Sequence, residues 1–445
     1  MPNTGQRDAR LEVGEGLSVP LLPKVNSTSL SVKGNRKVLI VGAGIGGLTT
    51  ALHLHRVGVE CQIVEAVPEF GPVGVGITIL PHAAKQLRVL GLENALRKDA
   101  ILTRESVFYN RFGQLIYRES TGRHAGYADP QYSIHRAHLH EVLLNAVIEQ
   151  LGVDAVLSGY RVRAVEQNEQ GATTYIDRAD GSTVLFESDV VIAADGIHSA
   201  VRAQLFPNEG EPRYSGVMMW RGTTVWPAFL TGASMVRVGS LATGQLVCYP
   251  IRNDVDGRGS QLVNWVVELQ MPQRSGREWT RQGNLEDFIN FFTDWHFDWL
   301  DVPAMLAAAD TILEYPMVDQ DPLPRWSHGR ITLLGDAAHP MVPRGSNGAG
   351  QTILDASAIG DCMAAQHGNS VAALQAYDDL RRPVTTGVVL ASRVSSPDSI
   401  LQLVYERTGD KPFARIEDVI SNEELDAVSR SYKQVAGFTA EAVSP

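Results

Sequence analysis

Three short stretches, far apart in this 445-residue chain, hold residues whose types and spacing suit one task, the handling of a nucleotide. The first is Gly42-Ala43-Gly44-Ile45-Gly46-Gly47, placed between the apolar, β-branched run 37–41 and a helix-like stretch that begins Leu48-Thr49-Thr50. In a strand-turn-helix of this kind Gly42 permits the tight turn, Gly44 lets the backbone approach a pyrophosphate, and Gly47 lets helix and strand pack closely. The helix's unpaired N–H groups and positive dipole end then face the phosphates. A second strand, Cys61-Gln62-Ile63-Val64, ends in Glu65, roughly 20 residues from the glycines, where an acid can hold ribose hydroxyls. The second stretch, Ala194-Asp195-Gly196 with Ser199 and Arg202, and the third, Gly335-Asp336-Ala337-Ala338-His339, set two more carboxylates beside glycines. A glycine pattern alone is a weak signal. Strand, glycines, helix, strand and acid in register make an ordinary glycine-rich loop a poor alternative.

The elements that must position these groups alternate strand and helix from residue 37 onward, as in a doubly wound sheet. Pro81 to Leu90 reads as a helix with proline in its first turn and Ala83, Ala84, Leu87 and Leu90 on one face. A hairpin follows, 105–110 and 114–118, then a helix from Arg136 to about Leu151. Two antiparallel strands are expected before 189–193, a continuous apolar run suited to a buried sheet position. Between about 211 and 325 the strands 216–221, 244–250 and 261–267 follow one another without helices, which reads as an antiparallel lobe inserted into the dinucleotide-binding domain. The expected division is 37–104, 126–210 and 326–393 for that domain, with 105–125 and 211–325 for the inserted lobe. Helices are expected over 349–366 and 371–393, and residues 394–445 read as a helical tail, from the spacing of Ile416, Val419, Ile420, Leu425 and Val428. Residues 1–36, polar and without helical period, read as a disordered leader.

The chain is 44% hydrophobic with a formal net charge of −11 and no Lys/Arg-rich block, which argues against a nucleic-acid partner. Its three cysteines, Cys61, Cys248 and Cys362, are isolated, so no metal site is expected, and they fit a reducing, cytoplasmic setting. No apolar run approaches the length of a membrane span.

Taken together, the three stretches resemble those of the single-component FAD-dependent aromatic hydroxylases, the group of para-hydroxybenzoate and salicylate hydroxylases, over about residues 37–393. Within that family the chain is most similar to the branch that acts on a methylated phenazine carboxylate. The likeness is carried by Gly74-Val75-Gly76-Ile77, Pro130-Gln131-Tyr132-Ser133-Ile134-His135-Arg136, Met219-Trp220-Arg221-Gly222, Tyr315-Pro316-Met317-Val318-Asp319 and Asn347-Gly348-Ala349. The resemblance implies an α/β fold: a Rossmann-like FAD-binding domain, an inserted, mainly antiparallel β substrate lobe and a helical C-terminal cap. It implies FAD as cofactor, NADH or NADPH as electron donor, and insertion of one atom of O2 into a small aromatic or heteroaromatic substrate through a flavin hydroperoxide. Position by position, it assigns Gly42, Gly44, Gly46, Gly47, Glu65, Gly76, Arg136, Asp195, Gly335, Asp336, Pro343, Gly348 and Ala349 to the cofactor. Asp336 would accept from a ribityl hydroxyl, and the helix start near Gly348 would hold the pyrimidine edge of the flavin. Gly350 stands where many relatives have Asn, and Arg344 where the phenazine branch has an apolar residue.

No protein nucleophile is required by such chemistry, because the cofactor carries the redox work. His339 invites a general-base role, but a structural one is the stronger expectation because its motif serves the flavin. Trp220, Tyr249 and Trp265 could line the substrate pocket or belong to the core. Arg221 and Arg344 could hold a substrate carboxylate, since an arginine facing an apolar site needs an anion; the alternative for Arg344 is a solvated loop. A flavin dehydrogenase or oxidase that inserts no oxygen, and a non-catalytic FAD-bound protein, remain open alternatives.

Overall fold

The computed structural model describes residues 38–71, 75–273, 281–394 and 397–439. The segment 1–36 expected as a leader lies outside the described residues, as does Gly74.

Four short apolar strands build the centre of the first sheet. Val38–Val41 pairs in parallel with Cys61–Glu65 on one side and Val190–Ala193 on the other, and Ile331–Leu333 continues in parallel beyond Val190–Ala193. Val156–Ser158 and the short antiparallel Ser327–His328 complete six strands. Nearly every residue of the central strands is buried, as expected when both faces of a parallel sheet are covered. The helices Ile45–Arg56, Arg136–Leu151, Gly348–Ala365 and Ser370–Val394 supply that cover. Instead of two antiparallel strands ahead of residue 189 there are three, Tyr160–Gln167, Ala172–Arg178 and Thr183–Ser188, in a small sheet of their own. The third exposes Leu185 and buries Ser188, so its apolar alternation is weak in the sequence.

The second large sheet has seven strands. Its order runs from Ile312–Asp319 through Arg213–Trp226, Gln261–Gln270, Gly244–Arg252 and Ser234–Ser240 to Glu105–Tyr109 and Leu115–Ser120. The early hairpin is thus built into the sheet of the later strands, joined by one parallel pair, Ser234–Ser240 with Glu105–Tyr109, in an otherwise antiparallel order. Side chains alternate across a strand, and that separates two layers. Met218, Trp220, Val263, Trp265 and Val267 enter an aromatic-rich core with Phe288, Phe292 and Trp295. Met219, Val266 and Met317 face the other way, toward Val342.

The tail is helical, as expected, but in two pieces. Ser399–Thr408 begins before the stretch whose spacing suggested a helix, and Asn422–Val435 follows after a turn of 3-10 helix.

Candidate active site

Because the central strands are parallel and adjacent, their C-terminal ends open on one edge, and each of the sequence motifs begins there. Glu65 closes one strand, Gly42 follows the next, Ala194-Asp195 the third and Leu334-Gly335-Asp336 the fourth. Hydrogen bonds continue the ladder into the loops: Gly42 N donates to Val64 O at 2.8 Å, Ala194 N to Val41 O at 2.8 Å and Leu334 N to Ala193 O at 2.9 Å. Strands lie roughly 4.8 Å apart, so Glu65 and Asp336 stand about 14 Å apart along the edge, a span suited to a molecule with a ribose at one end and a polyol at the other.

The glycines separate into two kinds. Gly42 has φ +99, and a Cβ there would lie 2.5 Å from Ala194 O; a Cβ on Gly47 would lie 1.9 Å from Gly42 O. Both are required by the chain's own packing. A Cβ on Gly44 would meet nothing within 4 Å. That open side lies at the start of Ile45–Arg56, a helix with no side-chain cap, which is the condition for an anion to approach its free N–H groups.

Around this edge the carboxylates behave differently. Both oxygens of Glu65 accept from the backbone, from Ala43 N at 2.7 Å and Val67 N at 2.8 Å, which fixes the carboxylate against the glycine turn. Each oxygen keeps a second lone pair for a hydroxyl donor. Asp195 accepts from Ala200 N at 2.9 Å through Oδ2, while its Oδ1 is buried and unbonded. Burial pushes its carboxyl above the usual range, against the hydrogen bonds it receives. Asp336 is exposed at its strand end and makes no side-chain bond among the described residues. Arg202, named as part of the second motif, is a buried clamp between the motifs. Its Nη1 donates to the carbonyls of Ala337 and Ala338 at 2.9 and 3.0 Å, and Nε to Glu209 at 2.7 Å.

His339 is occupied elsewhere. Its Nε2 is 2.5 Å from Asp355 Oδ2, and Asp355 Oδ1 accepts from Arg381 Nε at 2.8 Å, all three being buried. Burial alone would raise Asp355, but the His339 and Arg381 charges outweigh it and hold the carboxyl low. The geometry is that of a structural triad beneath the helix Gly348–Ala365. That helix starts without a side-chain cap at Asn347, leaving its first N–H groups available at the end of the loop 343–347. Sequence reasoning did not find what holds this loop. Tyr432, from the last helix, accepts from Asn347 Nδ2 at 2.8 Å, donates to Arg344 O at 3.3 Å and lies where a Cβ on Gly345 would be. No local pattern ties a tyrosine near the C-terminus to a loop 85 residues earlier.

The loop also reaches the seven-stranded sheet, on the face of Met219 and Val266 rather than that of Trp220. Trp220 is fully buried against Phe288 in the aromatic core, so strand alternation takes it away from the face that Arg221 occupies; of the two alternatives left open for Trp220 and Trp265, pocket or core, both residues lie in the core. Tyr249 and Arg221 do share the inner face. Arg221 Nη2 donates to Gly76 O at 3.0 Å, and Gly76 N donates to Asn264 Oδ1 at 2.7 Å. A Cβ on Gly76 would strike Asn264 at 2.6 Å, so this glycine seats its strand on the sheet. Gly76 pairs with His135, which puts Arg136 at the adjoining helix start. Burial holds Arg221 below the usual guanidinium range, and no carboxylate lies within 4.0 Å of it among the described residues. Arg344 is not a solvated loop residue: its side chain is 14% exposed, with Nε 4.0 Å from Glu268 Oε2. Glu268 also escaped sequence reasoning, although an acid two residues after Val266, on the same face of an apolar strand, was a visible anomaly.

Among the described residues no group of histidine, cysteine and acid side chains could hold a metal, and no helix is long and apolar enough to cross a membrane.

Comparison with known proteins agrees with this geometry. Residues 35–392 match a family model described as an FAD binding domain. A phenazine 1,6-dicarboxylic acid hydroxylase from Lysobacter antibioticus is 42% identical over 404 residues, covering 89% of this chain and 96% of that protein. A 3-amino-4-hydroxybenzoate 2-monooxygenase from Streptomyces platensis is 33% identical over 418 residues, covering 92% and 97%. Among solved structures, a salicylate hydroxylase substrate complex has a TM-score of 0.69 and covers 92% of this chain and 97% of its own, at 24% identity, a likeness of fold.

Proposed function

We propose, from the premise that the chain belongs to the FAD-binding-domain family of aromatic-ring monooxygenases, that its substrate is a planar aromatic or heteroaromatic acid. Bound FAD, reduced by NADH or NADPH, supplies the oxygen-activating chemistry, and the chain binds, orients and shields. The open side of Gly44 and the free N–H groups of Ile45–Arg56 suit the pyrophosphate, Glu65 a ribose, and Asp336 a ribityl hydroxyl. The loop from Pro343 and the uncapped start at Gly348 and Ala349 suit the flavin's pyrimidine edge, where the positive helix end favours negative charge.

The observation that carries the substrate class is the pair of guanidinium groups, Arg221 on the inner sheet face and Arg344 on that loop. Among the described residues Arg221 has no carboxylate partner, and Arg344 has one only at the limit of contact. A planar fork of this kind suits a carboxylate through two parallel hydrogen bonds. Met219, Val266, Met317 and Val342 beside them form an apolar wall, which suits exclusion of water from a reactive site. The acid-bearing substrates in the names of the two relatives support the same class.

A panel of aromatic acids and their uncharged amides, scored by stimulated NAD(P)H oxidation and by product mass in heavy oxygen, tests this. Acids should stimulate and gain one labelled atom. Stimulation without label would instead indicate a dehydrogenase or oxidase. Arg344→Met should raise KM for an active acid by about 10-fold or more, the loss of one charged contact of roughly 1.5–3 kcal/mol, with FAD content unchanged. Unchanged KM would remove Arg344 from the substrate site.

A further inference from the structure

We infer that Glu268 is a resident counter-ion of Arg344 that competes with the substrate's carboxylate, so that anion binding on the inner sheet face is coupled to uptake of a proton by Glu268. The inference rests on the substrate being an aromatic acid.

The geometry is that of a pair in contact but not engaged. Glu268 Oε2 and Arg344 Nε are 4.0 Å apart, beyond hydrogen-bond reach. Both atoms are buried and neither has a hydrogen bond among the described residues. A carboxylate and a guanidinium brought together for stability alone close to about 2.7–2.9 Å. Three more unbonded buried atoms lie on the same face, Arg221 Nε, Asn264 Nδ2 and Gln245 Nε2. Native interiors leave few such groups unsatisfied, and several together call for an absent partner. Four donors and one acid facing one layer fit an acceptor-rich ligand that carries negative charge.

The charges around Glu268 decide how it responds. Arg344 faces it from the loop, Arg237 from the strand Ser234–Ser240 and Arg221 from Arg213–Trp226, against one acid, Asp398, beside the helix Ser399–Thr408. Asp398 is already held by Arg237 at 3.0 Å, and Gln245 pairs with Glu268 across the sheet as a neutral neighbour. The nearby phenol of Tyr432 is pushed up by burial and stays protonated. Burial, then Asp398, lift Glu268 to about 7 despite the three arginines. A second carboxylate arriving at Arg344 adds a like charge in a buried site, and two such acids cannot both stay ionised. Glu268 then takes one proton from solvent, releases its hold on Arg344, and can donate its O–H to the incoming carboxylate. No covalent bond changes.

Linkage gives the size of the effect. For exclusive competition the apparent dissociation constant rises by about 10-fold between about pH 6 and pH 8 when the competing acid titrates midway. The test uses the full-length FAD-loaded protein and 1-naphthoate, which is anionic throughout, with 1-naphthamide as the uncharged control. Binding is read from the flavin absorbance change across that range, and proton uptake by calorimetry in two buffers of different ionisation enthalpy. Naphthoate should weaken about 10-fold toward the higher pH and take up protons near neutrality; naphthamide should do neither. In Glu268→Gln, a near-isosteric change, naphthoate affinity should be flat with pH and match the parent's low-pH value. Tight naphthoate binding with no proton uptake in the parent, or the same pH slope in Glu268→Gln, overturns the inference while leaving the acid-substrate reading intact. Equal affinity for naphthoate and naphthamide, or no binding of either, overturns both.

Discussion

At the residue scale, side chains of the same type do different work because of where their neighbours leave them. Glu65 is locked by two backbone donors, Asp355 by His339 and Arg381, and Asp336, at an exposed strand end, has no side-chain partner among the described residues. Only the last has its full hydrogen-bonding capacity for a ligand. Asp336→Ala should therefore weaken FAD retention by about 1.5–3 kcal/mol, the worth of a charged hydrogen bond, while Tm of the FAD-free protein stays nearly unchanged. Equilibrium dialysis and thermal melts check both halves, and full FAD retention would remove Asp336 from the site. His339 carries the opposite expectation. Removing one partner from a buried ionic network is strongly destabilising, about 3–5 kcal/mol, so His339→Ala should lower Tm whether FAD is bound or not.

At the element scale, the loop that leads into Gly348–Ala365 is held from outside the sheet. Its chain is forced through Gly345, at φ +82, and Ser346, at φ +58, backbone that a non-glycine residue adopts at a cost. The last helix stabilises that path: Tyr432 bonds Asn347 and Arg344, Gln351 Nε2 donates to Ala436 O at 3.3 Å, and Phe438 stacks on His82 at 5.4 Å. Tyr432→Phe keeps the ring and deletes the hydroxyl, leaving Asn347 Nδ2 with only a weak bond to Gly345 O. The cost should be about 1–3 kcal/mol, read as a lower Tm together with faster FAD release. A lower Tm with unchanged FAD release would show that the tail braces the domain but not the loop.

At the scale of the whole molecule, buried titratable groups set the response to acid. Burial, aided by Arg56, holds His53 down to about 4, and burial with Arg381 holds His82 down to about 3. Unfolded, both take up protons near the ordinary 6.5. Their depressed folded values mean that stability is intact above that pH and is lost as pH falls toward the folded values. At about pH 5 each costs roughly 2 kcal/mol. Glu268 works in the opposite sense, because its folded value of about 7 lies above the ordinary 4.5. Taking its proton stabilises the fold as pH falls through 7, by a similar roughly 2 kcal/mol at about pH 5. Between about pH 8 and pH 5, Glu268→Gln should thus lose about 2 kcal/mol more than the parent. Denaturant melts at the two pH values decide it, and equal losses in both proteins would contradict the assignment of Glu268.

Local chemistry made much of this chain legible without a structure. The glycine turn, the acid after the second strand and the buried run at 190–193 are short-range patterns, because strand, turn and helix impose their periods on neighbouring residues. The helices at Pro81 and Arg136 begin where the sequence places them. What the sequence could not state is which side of a strand meets which partner. Trp220 and Arg221 are neighbours in the chain and lie on opposite faces of one sheet, since successive side chains point apart and only the packed layers decide which face is core. Within the expected helical tail, the spacing at 416–428 did not mark the piece Ser399–Thr408, whose buried side covers the hairpin strands, a partner far away in sequence. The pairing of Arg344 with Glu268, the clamp of Arg202 on the third motif and the hold of Tyr432 on the loop 343–347 are likewise contacts between distant segments. Such contacts are fixed by the closing of the tertiary fold, and they turn a recognisable cofactor edge into a site with a charge pattern of its own.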